Sequence, residues 1–461
     1  MDHLSHLPPP LIIEILSRLD DSADLARCRV VSRTLDGLSC EVRSVHLQCS
    51  FDRYARSRSP EAPPAITPFK AIFNGLVGHA AVVESVRIGV EKPLRAVSSD
   101  DMEDESDDLY LTDVKFVGEW LPKVSQRLRS VSISDFWVQS CWRRSEVLSL
   151  ISSYCHGLLE LEVKNAWLSV DGLNPMPMLT SLTLEFVRLD DEDLNKVNDC
   201  FPSLQVLKLL GVGGLIDPRI HLLKLKTCHW TVSNAPVSLT IVAPNLVNLK
   251  LKCVKPRALV IEAPLLSDFH LTLEKANDFV MKEFCSLKTL WLESTNLCNL
   301  LCTFRFGKTI TNLKVDSPRW AQSVEMTKFS LEELFKTFPN ASSLTLGSGA
   351  WSELEMCRGE EDLEVGSVMK GLKEVSAYLM LPDIERTLSI IFFLLKKCTS
   401  LSDVEFLVHR DVDSSVVSSL VSRCVAHCSR VRWRWGMWKE GMKDSWVSDG
   451  VQSVYPGCLQ V

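Results

Sequence analysis

Cysteine and histidine are the residues of this sequence with the clearest capacity for chemistry. The chain of 461 residues contains 16 Cys and 10 His. Cys424, His427 and Cys428 fall within about one helical turn, a spacing at which thiolates and an imidazole can bind zinc. No second ligand pair lies at a matching spacing, because Cys298 and Cys302 are far away in the sequence. We therefore predict no metal site and interpret the segment as a packed helix.

Motifs for phosphate, protease or dinucleotide chemistry are also missing from the sequence. Neither a GxxxxGKS/T phosphate loop nor an HExxH zinc helix occurs. Gly211, Gly213 and Gly214 follow a predicted strand but lack the third glycine of a dinucleotide fingerprint, so they indicate a turn. No cysteine is matched with one particular histidine as a nucleophile. We predict no catalytic residue and no cofactor.

The composition is that of an ordinary globular protein. Hydrophobic residues make up 46% of the chain and charged residues 24%. A net charge of −7 argues against a protein that coats nucleic acid. The longest wholly apolar run, residues 390–395, is much too short to cross a bilayer, and the start does not resemble a signal peptide. The scattered cysteines indicate reduced thiols. We expect a soluble protein of the cytoplasm or nucleus.

The first forty residues predict three short helices. Ile12, Ile15, Leu16 and Leu19 recur on one face of the first helix, after a run of prolines suited to a helix start. Capping residues then introduce a second and a third helix. A domain this small usually needs a partner to bury its apolar surface.

Residues 1–40 resemble an F-box in the order and spacing of their apolar and basic residues. F-box proteins dock onto a Skp-family adaptor and through it onto a cullin–RING ubiquitin ligase. One departure is Leu35, near which many F-boxes have tryptophan. A generic helical cap on a repeat array is the alternative. The resemblance implies adaptor contacts through Leu7, Pro8, Ile12, Ile15, Leu16, Leu19, Leu25, Val30 and Val31.

The remaining residues, 41–461, repeat the pattern apolar-x-x-apolar-x-apolar. Several repeats begin after a proline, as in Phe201-Pro202-Ser203, and their steps cluster near about 20–29 residues. Clear copies stand at Leu158/Leu161/Val163, Leu179/Leu182/Leu184, Leu204/Leu207/Leu209, Leu246/Leu249/Leu251, Leu266/Phe269/Leu271 and Leu287/Leu290/Leu292. Weaker copies include Ile220/Leu223/Leu225, Leu401/Val404/Phe406 and Cys428/Val431/Trp433.

The pattern predicts short strands whose two closely spaced apolar residues face inward, each strand stacking on the next. A helical stripe from Ile384 to Leu395 precedes one of them. This resembles the irregular leucine-rich repeats of plant F-box proteins. The expected fold is therefore an α/β fold: a three-helix F-box followed by a leucine-rich-repeat solenoid, or horseshoe.

Two segments interrupt the repeats. Residues 56–68 are rich in proline and are expected to be extended. Residues 98–108 hold seven acidic residues, and we expect a disordered loop with Ser98, Ser99 and Ser106 as candidate phosphorylation sites. A plain solvated charge run is the simpler interpretation.

The two resemblances together imply a substrate-recognition subunit of a ubiquitin ligase. Such a subunit holds a target protein near the ligase and makes or breaks no bond itself. Two alternatives stay open: a repeat scaffold that contacts no ligase, and a small-ligand co-receptor similar to the plant auxin and jasmonate receptors.

The residues that alternate with the core leucines predict a target-binding surface. They include five lysines, and strands stacked about 5 Å apart would place them in one basic patch. Trp291 stands further along, at an outward position where an aromatic residue can anchor a partner. We predict an acidic or phosphorylated target, although exposed lysines commonly only contact water. The five lysines are Lys208, Lys224, Lys226, Lys250 and Lys252.

Overall fold

A computed structural model describes the fold of most of the chain. The described residues are 7–58, 67–91, 107–136, 142–232, 236–254, 256–273, 278–281, 284–304, 307–318, 330–356 and 371–446. They belong to two compact units, an N-terminal unit (Met1–Leu246) and a C-terminal unit (Val247–Val461). Most of the predicted acidic loop, with its three serines, lies outside the described residues, as do residues 59–66 of the proline-rich segment.

The N-terminal unit begins with three helices and continues with strands and helices in alternation. Its helices are α1 (Pro9–Ser17), α2 (Ser22–Val31), α3 (Arg33–Ser39), α4 (Phe51–Arg58), α5 (Phe69–His79), α6 (Val114–Val124), α7 (Val147–Tyr154) and α8 (Asp191–Cys200). Its strands are β1 (Ser44–Cys49), β2 (Ser85–Val90), β3 (Ser130–Ser134), β4 (Arg144–Ser145), β5 (Glu160–Lys164), β6 (Trp167–Leu168), β7 (Ser181–Glu185), β8 (Val206–Val212), β9 (Arg219–His221), β10 (Thr227–Val232) and β11 (Ser238–Val242).

One parallel sheet runs through this unit in the order β1, β2, β3, β5, β7, β8, β10. Each strand repeats the same burial: Leu161 pairs with Leu182 and Leu182 with Leu207, and all three are at most 2% exposed. The apolar residues therefore stack into one continuous core, as the pattern predicts.

The C-terminal unit is built the same way, with helices that become longer toward its end. Its strands are β12 (Asn248–Cys253), β13 (Ala258–Glu262), β14 (Asp268–Leu273), β15 (Asp278–Met281), β16 (Thr289–Glu293), β17 (Asn312–Asp316), β18 (Ser343–Leu346), β19 (Glu374–Leu379), β20 (Asp403–His409), β21 (Arg432–Trp438) and β22 (Ser445–Trp446). Its helices are α9 (Leu297–Thr303), α10 (Leu331–Thr337), α11 (Ser348–Met356), α12 (Ile384–Lys397) and α13 (Ser414–His427).

Parallel strands run through this unit in the order β12, β14, β16, β17, β18, β19, β20, β21, and β22 pairs with β21 antiparallel. The predicted α/β fold of stacked parallel strands is thus confirmed. The predicted helical stripe is also present, because α12 buries Leu388, Ile391 and Leu395.

The length of a repeat decides what its returning segment forms. Between β8 and β16 the core position recurs about every 21 residues, and the chain returns through the short strands β9, β11, β13 and β15. From β17 onward the core position recurs about every 30 residues, and the return contains α10 to α13. A helix advances about 1.5 Å per residue and a strand about 3.3 Å, so a helical return of the same length needs more residues.

Three details of the sequence prediction were wrong. The copy at Ile220/Leu223/Leu225 is shifted, because the strand of this repeat is β10 and Leu223 is 60% exposed. The residues that stack in the core there are Cys228 and Trp230, paired with Leu207 and Leu209.

The copy at Cys428/Val431/Trp433 is shifted by two residues. Trp433 pairs with Val404 and Trp435 with Phe406, so the tryptophans occupy the two core positions. Bulky tryptophans therefore occupy the positions at which the pattern required leucine.

The third error concerns residues 56–58. The sequence predicts an extended segment there, but these residues form the end of helix α4.

Candidate functional site

The three-helix segment, residues 7–43, owes its helix boundaries to capping residues. Pro9 stands in the first turn of α1, where the missing N–H of proline has no partner to lose. The Asp21 carboxylate accepts a hydrogen bond from the backbone N–H of Ala23 at 2.9 Å and starts α2. The Ser32 hydroxyl accepts from the N–H of Thr34 at 3.2 Å and starts α3. These caps fix which face each helix presents.

The segment has a small hydrophobic core of its own. Ile12, Leu16, Leu35 and Val42 form it. The residues packed against it are Leu7, Leu19, Leu25, Cys28 and Leu38. Ile12 and Leu16 are only 2% and 3% exposed, so the prediction that they face an adaptor is wrong for the chain as it stands. They hold α1 on the segment instead.

A different set of apolar side chains faces the solvent. Val30 and Val31 at the end of α2 are 88% and 79% exposed, and Leu11 and Ile15 on α1 are 51% and 44% exposed. We call these four residues the exposed F-box residues. The sequence prediction included Ile15, Val30 and Val31 but missed Leu11, and Pro8 is exposed beside α1. Apolar side chains left this open are typical of a protein-interaction surface.

The solvent face of the C-terminal sheet carries a basic and aromatic row. Successive strands pair Lys250 with His270, His270 with Trp291, and Trp291 with Lys314. We call these four residues the central row. Lys252 stands two positions after Lys250 on β12, and both lysines are exposed. The outward direction predicted for Lys250, Lys252 and Trp291 agrees with their place between buried residues.

The ring of Trp291 is not open for a partner to pack on, because side chains of both neighbouring strands lie against it. The His270 ring lies parallel to the Trp291 ring with centroids 3.8 Å apart. The Lys314 ammonium lies 3.8 Å from the centroid of the same ring. Cation–π contacts of this kind contribute about 0.5–2 kcal/mol. The central row is therefore preorganised before any partner binds.

Lys314 is held in this row at an electrostatic cost. Burial lowers the pKa of its amine, opposed by the carboxylates of Asp316, Asp444 and Glu293. Its ammonium is also 5.7 Å from the ring of Tyr378, whose hydroxyl donates to Asp444 at 2.9 Å.

The basic patch of five lysines predicted across three strands is not formed. Lys224 and Lys226 lie in the turn before β10, and the Lys224 ammonium donates to the Ser203 hydroxyl at 3.3 Å. The outward position of β10 beside Lys208 is taken by His229. The error follows directly from the shifted repeat, because the assumed strand began too early.

Asp316 shows how a strand end and a helix start are joined at this face. Its carboxylate accepts hydrogen bonds from the backbone N–H groups of Ser317 at 2.8 Å and Gly349 at 3.0 Å, and so caps α11. A Cβ at Gly347 would collide with this carboxylate. Burial raises the pKa of Asp316, opposed by these hydrogen bonds.

Cys228 and Cys424 are buried in the core of the repeats. Burial raises the pKa of the Cys228 and Cys424 thiols to about 12, which keeps them neutral at physiological pH. The His427 ring stacks on Phe392 with centroids 3.8 Å apart. Within the described ranges, no three Cys, His, Asp or Glu side chains gather as a metal site.

Three helices with a shared core, followed by stacked strands with leucine-rich cores, define an F-box joined to leucine-rich repeats. A family model described as F-box-like matches residues 4–44. The chain is 50% identical over 451 residues to F-box/LRR-repeat protein At4g29420 of Arabidopsis thaliana, covering 96% of this chain and 100% of that protein. The chain belongs to the F-box/LRR-repeat protein family.

Membership gives the general role. An F-box implies binding to a Skp-type adaptor, and F-box proteins with repeats recognise substrates and are typically non-catalytic. No helix among the described residues is long and apolar enough to span a membrane.

Proposed function

We propose that this chain is the substrate-recognition subunit of a Skp–cullin–F-box ubiquitin ligase, acting in the cytoplasm or nucleus. It contributes no bond-making step. Its F-box binds the adaptor, and its repeats hold a target protein, which raises the local concentration of the target's lysines.

The observation that carries the proposal is the set of exposed F-box residues. The three-helix core is already filled by Ile12, Leu16 and Leu35, so the segment folds without burying Val30 and Val31. Apolar surface that a fold leaves unburied is removed from water when a partner covers it. The partner implied by the family is the Skp-type adaptor.

Arginine substitutions at Ile15 and Val30 test this contact. Both residues lie in the last turn of a helix, where a cation interacts favourably with the helix dipole, so the helices should persist. Burying an unpaired charge costs several kcal/mol, and we expect adaptor affinity to fall by about a hundredfold or more. Biolayer interferometry with a purified Skp-family adaptor measures the affinity.

Ile216→Arg is the matched control, because Ile216 is 63% exposed but lies in the repeats. It should bind the adaptor like the unmodified chain. Adaptor binding unchanged in both Ile15→Arg and Val30→Arg would contradict the proposed contact. An unmodified chain that binds no Skp-family adaptor would favour the repeat-scaffold alternative.

We propose that the target of the C-terminal unit is an acidic or phosphorylated segment lying along the central row. Lys250 and Lys252 are exposed on β12, and His270 and Trp291 continue the row without a carboxylate. Anionic groups of the segment would pair with these two lysines, whereas Lys314 already faces the carboxylates of Asp316, Asp444 and Glu293.

The double substitution Lys250→Glu and Lys252→Glu should weaken target capture and reduce the dependence of capture on salt, while adaptor binding stays intact. Affinity purification under proteasome inhibition measures target capture. A chain that lacks residues 1–40 serves as the reference, because its targets are not degraded through the ligase. Lys308→Glu, at another exposed lysine of this unit, is the control. Unchanged capture and salt dependence would place the target elsewhere.

A further inference from the structure

Equivalent residues at the ends of three neighbouring strands of the N-terminal unit adopt the left-handed backbone conformation. These residues are Asn165 directly after β5, Phe186 directly after β7 and Gly211, the penultimate residue of β8, with φ of 56°, 52° and 65°. Backbone hydrogen bonds hold two of these residues: the N–H of Asn165 donates to the backbone carbonyl of Glu185 at 2.9 Å, and the N–H of Phe186 to the backbone carbonyl of Leu210 at 2.7 Å. Hydrogen bonds to the neighbouring strand therefore hold two of the three residues in this conformation.

Phenylalanine is an unfavourable residue at a position with positive φ. Glycine and asparagine adopt positive φ readily, whereas bulky side chains rarely do. The neighbouring repeats use Asn165 and Gly211. Phe186 is 64% exposed, so burial does not offset the strain. Leu381 also has a positive φ, of 53°, but it is only 8% exposed, so exposure sets Phe186 apart. A strained and exposed aromatic residue favours a role in binding.

The ring of Phe186 packs against the backbone of Gly211. A Cβ added at Gly211 would stand 2.7 Å from Cδ1 and 2.9 Å from Cε1 of Phe186, so the ring lies directly over the glycine backbone. Any other residue at Gly211 would displace it. The absence of a side chain in one repeat thus positions the aromatic side chain of the preceding repeat.

A cation follows this ring two residues later in the sequence. Phe186 and Arg188 are both exposed, one on each side of the buried Val187, and two residues span at most about 7 Å of chain. The Arg188 guanidinium lies 4.5 Å from the ring centroid of Trp167. Within the part of the chain that the structure describes, Arg188 makes no ion pair.

Acidic residues near Arg188 are engaged within the chain: the Asp190 carboxylate accepts a hydrogen bond from the N–H of Asp193 at 2.8 Å at the start of α8. The Lys164 ammonium lies 3.0 Å from a Glu162 carboxylate oxygen and 2.7 Å from one of Glu185. Arg188 is thus left with the charge to attract a carboxylate, and its contact with Trp167 holds the guanidinium in place.

We propose that Phe186, Arg188 and Trp167 form a docking edge for an extended peptide of the target, in which a large apolar residue lies within about two positions of Asp or Glu. The apolar side chain packs on Phe186 and the carboxylate pairs with Arg188. This inference rests on the proposed role of the repeats in target recognition, and it names the peptide chemistry that this edge selects.

Selection of a phage-displayed random peptide library on the purified full-length chain tests the inference. We expect enriched peptides that combine a large apolar residue with a nearby acid. Phe186→Asn should weaken their binding at least tenfold while leaving the melting temperature unchanged or raising it, because asparagine relieves the left-handed strain. Ile216→Asn, at an equally exposed apolar residue, should leave both quantities unchanged.

Arg188→Glu supplies a second, independent readout. It should abolish binding of the acidic peptides and restore binding when their Asp or Glu is replaced by Lys. No enrichment, binding within twofold for both variants, or a lower melting temperature for Phe186→Asn would overturn the inference. Adaptor affinity is read on the same preparations: its absence from the unmodified chain would contradict the ligase role and leave the peptide result standing.

Discussion

Replacement of Asp135 by asparagine should change how the stability of the N-terminal unit depends on pH. Asp135 follows β3 and is 0% exposed. Its carboxylate accepts hydrogen bonds from the N–H groups of Leu111 and Thr112, the second at 3.0 Å, and from the Thr112 hydroxyl. Burial nevertheless raises its pKa to about 7, because removal from water disfavours the charged form more than these donors favour it.

The sign of the effect follows from this raised pKa. Below about pH 4 the carboxyl is protonated in both the folded and the unfolded chain. Between about pH 4 and pH 7 the unfolded chain releases its proton while the folded chain retains it, so stability falls as pH rises. Three pKa units correspond to at most about 4 kcal/mol. Above pH 7 this contribution becomes constant.

The asparagine of the Asp135→Asn variant keeps the shape of the side chain and can donate to the Thr112 hydroxyl, but it cannot titrate. The stability of this variant relative to the unmodified chain should therefore improve by several kcal/mol from pH 4 to pH 8. Hydrogen–deuterium exchange of residues 107–136 during urea unfolding, at a series of pH values, measures this difference. A difference that is independent of pH would refute the argument that the buried carboxyl is protonated near neutrality.

Three further predictions concern the repeats. Leu249→Ala should lower the free energy of unfolding by about 2–5 kcal/mol, whereas Lys250→Ala should change it by less than about 0.5 kcal/mol, as measured in urea; equal losses would contradict the strand register. Gly347→Ala should lower the melting temperature measurably, since its Cβ would collide with the carboxylate that caps α11, and an unchanged value would mean that this turn can relax. Iodoacetamide at pH 8 should label exposed Cys285 rapidly but Cys228, whose pKa is about 12, only after unfolding; mass spectrometry of the native chain distinguishes the two rates.

The spacing of apolar residues predicted most of the strands, because a period of two leaves little choice of buried face. It failed where the core residues are not leucine. Cys228 and Trp230 fill the two core positions of β10, and the sequence Leu225-x-x-Cys228-x-Trp230 contains the signal once cysteine and tryptophan are accepted as core residues.

The orientation of α1 could not be predicted from its own periodicity. Leu11 and Ile15 are four residues apart, as are Ile12 and Leu16, so the helix presents two adjacent apolar pairs. Only packing against Leu35 and Val42 decides that the second pair is buried. A single helix contains no information about which pair its neighbours will cover.

The surfaces proposed for target binding depend on register between repeats. Trp291 meets His270 and Lys314 because separate strands align, and the strain at Phe186 depends on a backbone conformation that the residue type itself disfavours. Sequence spacing places such residues on a face but does not identify their neighbours.

The contrast between short repeats that return as strands and longer ones that return as helices bears on how this protein can change during evolution. The strand of each repeat keeps its register with its neighbours whether about 21 or about 30 residues separate the core positions. Gains or losses of about ten residues in a returning segment therefore need not disturb the stacked core, because longer connections add little loop-closure entropy. Insertions and deletions can remodel one side of the array while the residues on the sheet face evolve separately.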